Sequence, residues 1–175
     1  MATDPKTAEK LVQDYGVRLY GFCRKLAFLQ ADADDIYQQT FLRILVMPGE
    51  VDVENNPAGF LMSIAARIWH DEVKKYARRN RIFPVHSGQG EIHSVSDEAL
   101  TETLVLKKEA KDEVLNAVQS LSDTLRIPVL LFYMGDLSTS EIANTLRVPQ
   151  GTIKSRLHQA RKILKTELEL LGYGK

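Results

Sequence analysis

Apolar side chains recur every three or four residues along most of the chain. Nowhere do they alternate singly over a useful length, so the pattern predicts helices and no strands. Residues 7–28 place Leu11, Val12, Tyr15, Leu19, Phe22 and Leu26 on one stripe. A second helix is expected over 32–47, DADDIYQQTFLRILVM, with Ile36, Phe41, Leu42 and Leu45 as its apolar face. Asp32 or its neighbours can cap it, and acids in the first turn suit the helix dipole. The loop PGEVDVENNP, 48–57, follows, punctuated by Pro, Gly and Asn-Asn-Pro. A third helix is expected from about Pro57 to Asn80, with Pro in its first turn. Phe60, Leu61, Ile64, Ala65, Ile68 and Val73 line it, and its end, KKYARRNR, is basic.

Periodicity then stops. Residues 82–103 are rich in Gly, Ser, Pro and His, which predicts a flexible linker. Helix resumes near 100–120, and LSDTLRIPVLLFYMGDLS places Pro128 near a helix start and Gly135 near its stop. The predicted class is all-α: two small helical domains, 1–81 and 105–175, joined by a flexible linker over 82–104.

The stretch LSTSEIANTLRVPQGTIKSRLHQARK, 137–162, is the most informative. Ser138 and Glu141 have capping-box spacing, which predicts a short helix over about 138–146 that buries Ile142, Ala143 and Leu146. RVPQ makes a tight turn with Val148 tucked inward, and a second helix begins near Pro149 or Gln150. Its stripe is Ile153, Leu157, Ala160 and Leu164. This is helix-turn-helix spacing, in which the second helix enters a DNA major groove. Gln150, Lys154, Ser155, Arg156, His158, Gln159, Arg161, Lys162 and Lys165 lie off the stripe. Lys and Arg neutralise phosphates, while Arg, Gln and Ser also read base edges. The helix N-terminus adds backbone amides for a phosphate.

Composition narrows the class. The 175 residues are 44% hydrophobic and 26% charged, a soluble globular balance, with no apolar run of the roughly 20 residues that span a bilayer. The opening MATDPKTAEK has no apolar segment of the kind a secretory signal carries, so a cytoplasmic protein is expected. Cys23, the single cysteine, sits in apolar LYGFCRKL and is read as a buried, reduced thiol. Net charge is zero, but the charges are unevenly spread. Residues 1–81 hold 12 basic and 11 acidic groups and 105–175 hold 11 and 8, while 82–104 hold four acids and no Lys or Arg. His70, His86, His93, His158 and Cys23 show no metal-ligand spacing, and no Gly-rich phosphate loop is present. No catalytic residue, metal or cofactor is expected.

DADDIYQQTFLRIL (32–45), NPAGFLMSIAARIWHDEVKKYARRNR (56–81) and the run from Leu121 to Lys162 together resemble an extracytoplasmic-function (ECF) sigma factor, a small bacterial initiation subunit. The resemblance takes in order, spacing and the linker over nearly the whole chain. It implies that 1–81 is the family's region two, binding core polymerase and reading and melting the minus-ten element, and that 105–175 is region four, reading the minus-thirty-five element. The implied partners are core RNA polymerase, through its β′ clamp helices and β flap, promoter DNA as duplex and as melted non-template strand, and an anti-sigma protein that clamps between the domains. No membrane insertion is expected.

Residue by residue, the resemblance places Asp35, Gln38, Gln39, Thr40 and Phe41 against polymerase, with Ile36 in the core. It places Asn55, Asn56, Arg67, Trp69, Lys74, Lys75, Arg78 and Arg79 at the minus-ten strand, where a flipped base needs a loop pocket and single-stranded DNA needs cations and stacking faces. Trp69 suits either stacking or the core. Gln150, Thr152, Lys154, Ser155, Arg156, His158, Gln159 and Arg161 fall at the minus-thirty-five element. One departure stands out: the family's usual Arg-Asn after Ile-Ala is here Ala66-Arg67. The competing reading is a stand-alone helix-turn-helix regulator, which binds duplex DNA without polymerase, usually as a dimer.

Overall fold

The structure, a computed structural model, describes residues 3–82 and 102–172. Among them are seven helices and no strand: α1 (Pro5–Leu26), α2 (Gln30–Val46), α3 (Pro57–Ile82), α4 (Glu102–Ser120), α5 (Asp123–Tyr133), α6 (Thr139–Leu146) and α7 (Gln150–Leu170). Most of the expected linker, 83–101, lies outside the described residues, and helix reaches into both its ends. α5 opens at Asp123, so Pro128 stands inside the helix rather than near its start.

Helices α1, α2 and α3 pack on one another, and α4 to α7 form a second group around α7. α1 buries Leu11, Leu19, Phe22 and Leu26, as the stripe predicts, while Val12 stays exposed. α2 corrects the expectation. Its buried positions are Ala33, Ile36, Thr40 and Ile44, one row at steps of three and four, while Leu42 and Leu45 face solvent. Thr40 fits this apolar row because its hydroxyl donates to the Ile36 carbonyl at 2.7 Å, so no donor is orphaned.

The two groups are not separate bodies. Buried residues of both belong to one continuous core, in which α3 meets α5 and α6, and α1 meets α5. At the junction lies Arg126, whose side chain is 1% exposed. Its Nη1 donates to the Leu121 carbonyl at 2.9 Å and its Nη2 to the Leu26 carbonyl at 3.1 Å. It pairs with Asp123 and lies 4.6 Å from the centre of the Phe28 ring. Asp123 in turn accepts the Trp69 indole N–H at 3.2 Å. Burying a guanidinium is costly unless its donors are met; carbonyls from both groups meet Nη1 and Nη2, while Nε stays buried without a partner.

Arg126→Ala is expected to lower stability by about 2–4 kcal/mol in denaturant unfolding, because it leaves the Leu26 and Leu121 carbonyls and the Asp123 carboxylate short of their donor. Cys23 is fully buried, and burial pushes its thiol up to about 12. It should resist iodoacetamide at pH 8 in the native protein and label fully in guanidinium chloride; native labelling would show that the α1 core opens readily.

Candidate nucleic-acid interface

The C-terminal helix pair is built as its spacing predicts. Ser138 caps α6: its hydroxyl accepts from Glu141 N at 3.1 Å, and the Glu141 carboxylate accepts from Ser138 N at 2.7 Å. Such a cap stabilises a helix by about 1 kcal/mol, which matters for a helix of eight residues. The turn is made by Arg147, which adopts the left-handed conformation (φ 55°), so that Val148 N donates to the Ala143 carbonyl at 3.1 Å. Pro149 then caps α7. Ile153, Leu157 and Ala160 anchor α7 in the core.

With that stripe fixed, Gln150, Lys154, Ser155, His158 and Gln159 all face solvent. Gln150 donates to the Thr139 hydroxyl at 2.8 Å, tying the start of α7 to α6. Thr152 and Arg156 sit half-buried at the edge of this row. Arg161 stands apart from it: its Nε donates to the Tyr133 hydroxyl at 2.9 Å and its guanidinium lies over the Phe132 ring, so it is drawn toward α5.

On α2, Asp35 and Gln38 are exposed, and Gln39 donates to Asp35 at 2.5 Å. Phe41 is half-buried, edge-on to Tyr37 at 5.1 Å. Thr40, expected on this surface, is 0% exposed and stands in the core row instead. Sequence reasoning missed its replacement. Leu42 and Val46 are 61% and 77% exposed, and they continue the line Asp35–Gln38–Leu42–Val46 at steps of three, four and four. That spacing was in the sequence, but Leu42 read as part of the buried apolar face and Val46 carried no assignment.

The expected minus-ten residues divide. Asn55 is exposed, with its backbone N–H held by Asp52 at 3.2 Å. Lys74, Lys75, Arg78 and Arg79 form an exposed basic row along the C-terminal part of α3. Asn56, Arg67 and Trp69 are engaged within the protein. Asn56 Oδ1 accepts from Gly59 N at 3.0 Å, capping α3, and its Nδ2 donates to the Gly135 carbonyl at 2.8 Å. Both ends of its amide are therefore taken, which corrects the expectation of a free base-reading group. Arg67 donates to the Thr145 carbonyl at 3.3 Å and Trp69 to Asp123. His70 stands beside them, where burial, and then Lys74, push its imidazole pKa down.

Two of the cavities that border these surfaces involve α7. One of about 670 Å³ lies between α4, α5 and α7, walled by Val114, Val118, Leu130, Met134, Leu164 and Leu168. Lys25, Arg161 and Lys165 line it too. The other, about 230 Å³, separates His70 and Lys74 of α3 from Arg156 of α7. Among the described residues no group of His, Cys, Asp and Glu is gathered closely enough to hold a metal ion, and no helix is long and apolar enough to cross a membrane.

Comparison with known proteins agrees with this arrangement. The Sigma-70 region 2 family matches residues 11–79 and the Sigma-70 region 4 family matches 111–164, together more than two thirds of the chain. The ECF RNA polymerase sigma factor SigW of Bacillus subtilis is 26% identical over 162 residues, covering 90% of this chain and 87% of its own. The ECF RNA polymerase sigma factor SigL of Mycobacterium tuberculosis is 28% identical over 174 residues, covering 98% and 94%. Among solved structures, the sigma factor RpoE of Bartonella quintana, crystallised with the anti-sigma factor NepR, shares the fold at a TM-score of 0.64 and 20% identity, over 95% of this chain and 99% of that one. With region two on α1–α3 and region four on α4–α7, in the order its relatives keep, the chain belongs to the sigma-70 family as an extracytoplasmic-function sigma factor.

Proposed function

We propose that residues 1–81 engage core RNA polymerase and the minus-ten element, that 105–175 read the minus-thirty-five element, and that 82–104 link them. The observation that carries this division is the α7 row: five polar and basic side chains on one exposed face, opposite a buried stripe, behind a capped α6. A helix so placed offers Lys154 to phosphates and Ser155, His158 and Gln159 to base edges. Gln150, Thr152 and Arg156 flank them.

The polymerase surface is the outer line of α2, with Asp35 and Gln38 beside Leu42 and Val46, and Gln39 and Phe41 at its margin. An apolar stripe edged by acid and amide suits docking on a coiled coil. The large cavity between α4, α5 and α7 supports a second polymerase contact. Its apolar walls suit a helix tip, the role the resemblance gives to the β flap. At the minus-ten strand, Lys74, Lys75, Arg78 and Arg79 track the backbone and Asn55 stands on the preceding loop.

The sigma factor itself does no bond-making chemistry and works in the cytoplasm, where polymerase is. An anti-sigma protein is a fitting regulator, since the structural neighbour was crystallised with one.

The test is transcription by purified core polymerase from a promoter library, with and without the chain. Transcripts starting downstream of a shared two-part motif are expected. Lys154→Ala and Gln159→Ala should each weaken recognition of the upstream half by about 1–3 kcal/mol while leaving the downstream half readable. A silent polymerase, with the chain alone shifting duplex DNA, would instead establish the stand-alone regulator.

A further inference from the structure

Positive charge gathers at the seam between the two halves with little to meet it. Arg67, His70 and Lys74 follow one another on α3 at steps of three and four, so they share one edge of that helix. Arg156 of α7 faces His70 and Lys74 across the cavity of about 230 Å³, whose sides include apolar Val73, Ile127, Pro128 and Leu146. His70 and Arg156 are half-buried. Among the described residues no carboxylate pairs with Lys74 or Arg156, and His70 Nδ1 has only Asp71, at 3.9 Å. Asp123 also stands on the wall, but its carboxylate is already engaged by Arg126 and by the Trp69 indole.

Cations that converge on a space with apolar sides attract an anion more strongly than cations in open water, because less solvent screens them. The volume is several times the roughly 30 Å³ that a water takes up in the liquid, which admits a phosphoryl group with part of its carrier. Such a group offers two oxygens to the Arg156 fork and a third to His70 or Lys74, and Thr124 stands on the same wall with a hydroxyl. We infer that this cavity is a binding site for a small phosphorylated anion, which ties α3 to α7 and occupies cations that would otherwise serve DNA. The competition with DNA rests on the DNA reading of α3 and α7 proposed above; the site itself does not. A bound anion also reverses the setting of His70. In the free chain burial, then Lys74, and to a lesser degree Arg156 and Arg67, hold its imidazole pKa down against the opposing pull of Asp71. On α5 the charged group of the wall is Asp123. An anion in the cavity favours the imidazolium, so binding takes up a proton.

Inorganic pyrophosphate and sulfate are the probes, titrated calorimetrically into the full chain with ionic strength held near 0.15 M by sodium chloride. Pyrophosphate should bind saturably at one site. At ten times its Kd it should favour the folded over the unfolded chain about elevenfold, read as a raised Tm. Lys74→Gln and Arg156→Gln should each weaken binding about tenfold or more. Lys162→Gln removes the same charge from a position of α7 that lines neither cavity, and should leave binding unchanged. Should circular dichroism show that Arg156→Gln misfolds, Lys74→Gln, whose side chain is exposed, decides alone. Sulfate keeps its charge between about pH 8 and about pH 6, so tighter sulfate binding at the lower pH reports His70, and His70→Gln should abolish the change. Saturating pyrophosphate should weaken the binding of a labelled random single-stranded DNA to the free chain about tenfold.

Absence of saturable binding would overturn the site, and so would equal weakening by Lys162→Gln, the mark of diffuse attraction to a basic surface. A single strand held through Lys74 and Arg156 where pyrophosphate is not would assign the phosphate chemistry to the DNA backbone and overturn a small-molecule site. Unchanged strand binding under saturating pyrophosphate would overturn the competition while leaving the site standing. Loss of the initiation reading has a separate signature: no promoter-dependent transcript from core polymerase with the wild-type chain, whatever the calorimetry shows.

Discussion

A single guanidinium sets the terms for the rest of the molecule. Arg126 is placed where water cannot reach it, so the chain must bring it acceptors, and those acceptors come from far apart: the end of α1, the α4–α5 turn and the first residue of α5. Its Nε is already without a partner, so losing either terminal nitrogen's acceptors as well would cost more than most single contacts contribute. Once Leu26 is held there, α1 is registered against α5. Once Asp123 is oriented by Arg126, it can take the Trp69 indole, which registers α3 against the same turn. The relative placement of regions two and four thus descends from one charge and its neighbours, with the shared apolar core filling in around them.

The helices were largely legible in the sequence, and so was the α6–α7 helix-turn-helix pair. Pro57, the Ser138–Glu141 spacing and the Ile153–Leu157–Ala160 stripe each carry a local physical cause that needs no tertiary knowledge. The α7 row followed from that stripe, because once one face of a helix is fixed the other is too. The Sigma-70 matches over 11–79 and 111–164 fall within the halves read from periodicity.

What stayed illegible has equally physical reasons. On α2 the apolar residues outnumber the buried places, so composition alone could not say that Ile44 goes in and Leu42 stays out; a threonine that satisfies its own hydroxyl took a core position instead. Asn56 looked free, and Trp69 stayed open between stacking and the core, because their partners, Gly135 and Asp123, are 79 and 54 residues away. No periodicity reports a bond of that span. Nothing in the pattern around Arg126 sets it apart from the other Lys and Arg of a chain that carries 23 of them. The expectation of two linked domains thus identified the halves correctly but carried no information on how closely they touch.

The bonds that Arg18, Asn56 and Arg67 send across the seam share one property: all three end on main-chain carbonyls, those of Met134, Gly135 and Thr145. A carbonyl is present whatever side chain a codon specifies. At these three bonds the receiving side is therefore indifferent to substitution, whereas Arg126 and Asp123, which hold Leu26 and Trp69 across the same junction, act through their side chains and must be kept. None of these three bonds ends on α7, so its exposed row of Gln150, Lys154, Ser155, His158 and Gln159 can change without touching them.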